Sequence, residues 1–266
     1  MKRAFAAWKW SFVSVVRSYR TVVAVGALIA LWIFTAYEWL GMPAESSLLL
    51  MTISLLWAIV QILAAAVILG GLASGAAETA ASGDGRFPAR ALWTLGRKML
   101  ASTVIFCILS FILVWLCGAV FDWINAHSIE VASFLTFHTQ KPVSHVVIEK
   151  IYDVIENFLW IVLSGFLLSW FVVLRREGWG PAIGQILKLV LGNAFRAPLL
   201  TNLLSLAVFG GIAYELANWH PLVTPGFWDY AQMVTRMVAA LALISAGALY
   251  WPLALARLLT PRPDQS

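Results

Sequence analysis

Six apolar runs, each about as long as a bilayer is thick, dominate this chain, and clusters of Lys and Arg separate them. The runs cover about residues 21–40, 47–70, 99–121, 156–174, 199–218 and 231–254. A hydrocarbon core of about 30 Å needs roughly 20 helical residues to cross it. A helix on the surface of a soluble protein keeps one polar face, whereas these runs are apolar on every side. Only 12% of the residues are charged, against roughly a quarter in a soluble domain. The sequence therefore predicts an all-α polytopic membrane protein with six transmembrane helices, forming a single membrane domain over 1–266.

The placement of Lys and Arg predicts orientation, because cytoplasmic segments carry the excess. Fifteen of the 18 fall on one side: Lys2, Arg3, Lys9, Arg17 and Arg20; Arg86, Arg90, Arg97 and Lys98; Arg175, Arg176, Lys188 and Arg196; Arg257 and Arg262. Lys141, Lys150 and Arg236 fall on the other. Both termini are expected in the cytoplasm. Trp8, Trp10, Trp93, Trp170, Trp179 and Trp251 near the basic boundary form one expected aromatic belt. Trp39, Trp123, Trp219 and Trp228 form the other. The net charge of +5 reads as a topology and anionic-lipid signal, with no nucleic-acid partner expected. Lys9, Arg17 and Arg20 stretch the basic N-terminal region too far for a cleavable signal peptide.

Three basic segments carry helical periodicity. Ile183, Ile186, Leu187, Val190, Leu191, Ala194 and Phe195 recur on one face of 182–196, opposite Gln185, Lys188, Gly192 and Arg196. Phe87, Ala91, Leu92, Leu95 and Met99 form a similar arc opposite Arg90, Thr94, Arg97 and Lys98. Near the N-terminus, Phe5, Trp8, Phe12, Val15, Val16 and Tyr19 share a face. The chain thus reads as three units, about 1–71, 86–174 and 180–254, each an amphipathic helix followed by a transmembrane hairpin. These helices are expected to lie in the membrane interface, apolar face down and basic residues at the headgroups. A short helix packed on the basic ends of the spans would give the same pattern. Gly71-x-x-x-Gly75 has the spacing for close helix approach. The GAAETAASGDG segment beginning at Gly75 reads as a flexible turn.

Basic, aromatic-bearing amphipathic helices that enter membrane hairpins resemble certain poorly characterised bacterial six-span families. One is similar to the membrane domain fused to some glycerophosphodiester phosphodiesterases. That resemblance implies a six-span fold in a bacterial inner membrane and transfers no active-site residue.

Candidate site residues are few. His145 and Glu149 stand four apart on a helix beginning near Pro142, so both could ligate one metal. His127, His138 and His220 are on the same side, where solvated histidines would look identical. Ionisable groups within spans are functional candidates because burying charge in hydrocarbon is costly. Arg236 is the clearest, with Glu215 or Asp229 as expected partners and snorkelling to the headgroups as the other outcome. Gln61, in mid-span, is expected to hydrogen-bond a neighbouring helix. The membrane-interface set is Lys9, Arg17, Arg20, Arg90, Arg97, Lys98, Arg175, Arg176, Lys188 and Arg196. Cys107 and Cys117 lie ten residues, about 15 Å, apart on one span and cannot form a disulfide within it. No catalytic constellation or cofactor motif is present, so the expected role is a non-enzymatic scaffold, lipid-organising element or accessory subunit. Its expected partners are membrane lipids, or another membrane or cytoplasmic subunit. The rival is a transport component whose cytoplasmic helices dock an ATPase. An intramembrane lipid enzyme would need the outer His and acidic residues to converge.

Overall fold

Six helices of the computed structural model are long and apolar enough to cross a membrane, making this a multi-pass membrane protein. The structure describes residues 2–40, 47–219 and 226–260. His220 and Arg262, with the side chains of Trp39, Ala194 and Phe195, lie outside the described residues. The described chain is helical, with no strand. Its first half comprises α1 (Lys2–Arg17), α2 (Tyr19–Leu40), α3 (Leu48–Ser82), α4 (Ala89–Lys98), α5 (Leu100–Ala126) and α6 (Ser128–Thr139). The second half comprises α7 (His145–Glu177), α8 (Trp179–Gly184), α9 (Ile186–Phe195) and α10 (Ala197–Ser205). A π-helical turn, Leu206–Gly211, then leads into α11 (Ile212–Asn218), and α12 (Phe227–Leu259) closes the chain.

Three helices overrun their expected spans. α3 has 35 residues, and α7 and α12 have 33 each, about 50 Å at 1.5 Å per residue. The segment read as a flexible turn is instead the end of α3, with Ala76, Ala77, Thr79 and Ala80 buried. Alanine favours the helix, and the helix stops only where Gly83 adopts a left-handed φ of 73° and donates to the Thr79 carbonyl. α7 ends similarly at Gly178, whose φ is 84°.

The core sits at the basic end of the bundle, and the overrun of α3 enters it with Leu72, Ala76 and Ala80. One buried cluster joins Val25 of α2, Leu72 and Ala76 of α3, Phe87, Leu92 of α4, and Leu249, Tyr250 and Leu253 of α12. A second joins Phe106 of α5, Phe166, Trp170 and Phe171 of α7, Ala182 of α8 and Leu189 of α9. Half of the most apolar window of α7 and of α12 is buried, against 6% for α5, which therefore faces lipid along most of its length.

Small residues set these contacts, as expected where lipid is as apolar as Leu and close packing supplies the attraction. Gly71 lies against the Leu92 backbone, Gly75 under the Phe87 ring and Gly96 against the Val67 carbonyl. Contacts at both ends of a ten-residue helix align α4 antiparallel to α3. The segment expected flat in the interface is thus packed along a span's basic end. The backbone of Phe87 is bonded to the junction of α1 and α2, accepting from Thr21 Oγ1 (2.7 Å) and donating to Ser18 Oγ (2.8 Å).

α1 turns only part of its expected apolar face inward, with Val15 buried and Trp8 half-buried against the core. Ala4, Ala7, Ser11, Ser14 and Ser18 make the buried stripe, while Phe5, Phe12, Val16 and Tyr19 point outward. The region expected as one helix over 182–196 is broken at Gln185 into α8 and α9. Ile186, Leu189 and Val190 turn inward, and Ile183, Leu187 and Leu191 are exposed. The helix read from Pro142 runs unbroken from His145 into the fourth span, and α6, not anticipated, packs beside its start.

Candidate functional site

Arginines latch the basic end shut. The last four carbonyls of a helix have no partner within it, and cations there also meet the negative end of the helix dipole. At the end of α12, Arg3 donates to the carbonyls of Leu258 (3.0 Å) and Thr260 (2.8 Å), and Arg176 donates to that of Leu259 (3.1 Å). Arg176 also pairs with Glu177, the one ion pair among the described residues. Arg257 donates to the Ala80 carbonyl of α3 (3.0 Å) and lies over the Trp10 ring at 5.1 Å. Arg175 donates from Nε to Ser74 Oγ (2.8 Å) and lies over Phe171, with its Nη2 buried and unpartnered. Of the residues expected at the headgroups, Arg175 is therefore part of the internal fabric, and Arg176 is exposed while bonded to the end of α12. Lys9, Arg17, Arg20, Arg90, Arg97, Lys98, Lys188 and Arg196 are exposed. Arg20 and Arg97 lie over their neighbours Tyr19 and Trp93. Arg3 and Arg257 were not singled out from sequence. Arg257 in the last turn of a helix carried a readable signal, whereas Arg3 reaches across 257 positions and carried none.

Within the membrane-spanning stretches, the expected partnerships do not assemble. Nε and Nη1 of Arg236 are buried without a hydrogen-bond partner, and no described carboxylate forms an ion pair with it. Glu215 is exposed, beside a hollow of about 630 Å³ formed with Gly210, Gly211, Tyr214 and Trp219 next to the π-helical turn. The contacts of Gly247 with Phe209 and of Trp251 with Asn202 fix α11 antiparallel to α12. That register sets Glu215 about one turn deeper than Arg236. Gln61 is 9% exposed; its backbone carbonyl accepts from Trp32 Nε1 at 3.2 Å, and its Oε1 is buried and unpartnered. Better satisfied is Asn202, fully buried in a notch over Gly165, whose Oδ1 accepts from Trp251 Nε1 at 2.8 Å.

His145 is exposed, and Glu149 accepts from Ser128 Oγ at 3.2 Å. His127 and His138 lie with Nδ1 against the backbone carbonyls of Trp123 and Phe134. No group of three or more His, Cys, Asp or Glu side chains able to hold a metal exists among the described residues. His145 and Glu149 are not brought together with a third ligand. Cys107 and Cys117 are both free.

An apolar slot lies between α5 and α7. The two helices are pinned together at the basic end, where Phe106 stacks on Phe171 with ring centroids 4.4 Å apart and meets Trp170 at 5.2 Å. They are pinned again by Phe121 and Trp160 at 6.3 Å. Between the pins they stand apart around about 740 Å³, lined by Leu113, Leu116 and Cys117 of α5 and Leu159, Leu163 and Phe166 of α7. Ile186 and Val190 of α9 wall the slot at its basic end. No charged or amide side chain lines it. The indole N–H of Trp170 is buried without an acceptor. Such a slot has the size of a ligand pocket and the chemistry of a hydrocarbon site. No protein family, curated protein or solved structure matches this chain.

Proposed function

We propose that this protein is a lipid-organising scaffold of a bacterial inner membrane, with both termini in the cytoplasm and membrane lipids as its principal partners. One observation carries the reading: packing is concentrated at the basic end, while between the pins of α5 and α7 the fold leaves an apolar slot open within the hydrocarbon. A scaffold needs a rigid base and lipid-contacting arms, and this arrangement supplies both. The exposed basic residues around that base suit an anionic headgroup layer, each contributing about 1 kcal/mol near such a surface. The outward aromatic face of α1 and the exposed apolar residues of α8 and α9 suit contact with the interface. The resemblance to membrane domains associated with glycerophosphodiester phosphodiesterases points to the same lipid setting.

A transport reading has one feature in its favour. Ile183, Leu187 and Leu191 form an exposed apolar face at the basic end, where a cytoplasmic ATPase subunit would dock. Affinity purification from native membranes, with mass spectrometry of both proteins and lipids, separates the two. A stoichiometric ATPase would overturn the scaffold reading; enrichment of particular lipids without one supports it.

A further inference from the structure

We propose that the slot between α5 and α7 holds one acyl chain of an anionic phospholipid from the leaflet on the basic side. A volume of about 740 Å³ within a bilayer is filled by something, and its lining decides by what. Water needs two to four polar partners to occupy a cavity, and this lining offers no charged or amide group. Hydrocarbon is the occupant that matches. The length suits a chain too: from Trp160 to Trp170 the α7 wall rises about 15 Å across the middle of the span, within reach of one extended acyl chain entering from the basic side.

Charge selects the leaflet and the headgroup. Beyond the Phe121–Trp160 pin, Asp122, Glu149, Asp153 and Glu156 would repel an anionic headgroup. Beyond the Phe106–Trp170 pin, Arg97, Lys98 and Lys188 attract one. The slot walls belong to α5, α7 and α9, elements far apart in sequence, so a seated chain also ties α9 to the hairpin. This inference deepens the lipid-organising reading and rests on it. Its test uses purified protein and defined lipids, so it can fail while purification from cells still returns lipid partners.

The test begins with the full chain in detergent and two added lipids of identical acyl composition, phosphatidylglycerol and phosphatidylcholine. Native mass spectrometry should find one phosphatidylglycerol retained at collision energies that strip phosphatidylcholine. Leu163→Trp, which fills the slot, should lower that retention more than about tenfold, because each methylene displaced from apolar contact changes affinity about fourfold. Ile108→Trp, on the exposed face of α5 outside the slot, should leave it unchanged. A second measurement keeps the slot intact: in a Cys107→Ser chain, phosphatidylglycerol should slow alkylation of slot-lining Cys117 by an apolar maleimide. Retention equal in both tryptophan variants would mean annular lipid only and would overturn the proposal, as would unprotected Cys117. Equal retention of the two lipids would overturn the headgroup assignment.

Discussion

Substituting Gly71 by Ala should destabilise the protein although it improves the helix. A Cβ at Gly71 would lie 2.7 Å from both the carbonyl carbon and the Cα of Leu92, where ordinary contact begins at 3.4 Å. The obstacle is backbone, so no side-chain rotation relieves it, and α4 has to retreat by about 0.7 Å or more from a close-packed contact. Such overpacking costs about 1–3 kcal/mol, and a backbone clash belongs near the top of that range. Against this, Ala replaces Gly in a helix with a gain of about 1 kcal/mol. The net expectation is a loss of about 2 kcal/mol. Gly118→Ala in α5 isolates the second term, because an added Cβ there meets nothing within 4 Å. It should gain up to about 1 kcal/mol. Unfolding in mixed micelles with increasing SDS, followed by tryptophan fluorescence, would compare the two variants with the parent. Equal stability of Gly71→Ala and Gly118→Ala would refute the close approach of α3 and α4.

Phe87→Ala should cost about 3–5 kcal/mol in the same titration, because it empties a buried ring site over Gly75; a loss below about 1 kcal/mol would contradict that packing. Trp251→Phe removes the donor to fully buried Asn202 and should cost about 1–3 kcal/mol, with an unchanged midpoint counting against the bond. Arg236→Met should leave stability unchanged or raise it, since no described partner is lost; a drop of more than about 1 kcal/mol would reveal an ion pair or bound anion. In α8 and α9, depth measured by spin labels should show Leu187→Asp lifting the segment from the membrane more than Lys188→Ala does. Equal effects of the two would mean that charge, and not the exposed apolar face, holds it there.

Hydropathy carried the number of spans, because a bilayer asks only for length and apolarity, and both are local properties of the chain. It did not carry how far α3 continues. Residues 71–82 hold one large apolar side chain, Leu72, among Gly, Ala, Ser, Thr and Glu, so their pattern resembles a linker, yet the same small side chains let α4 lie against them. The outward turn of Phe5, Phe12 and Tyr19 beside the buried Val15 has the same origin. In water, Phe5, Phe12 and Tyr19 would be driven inward, and sequence periodicity is read with that bias. Where lipid can cover a large apolar face at no cost, the residues that turn inward are those allowing closest approach, here Ala4, Ala7, Ser11 and Ser14. The candidate site was less legible still. The slot depends on Phe106 meeting Trp170 and on Phe121 meeting Trp160, pairings across more than a third of a hundred residues that leave no local periodic trace. A void between two helices is a property of their separation, and no residue in either encodes it alone. For a chain of this kind, small residues therefore mark where helices meet, and large exposed ones mark where lipid does.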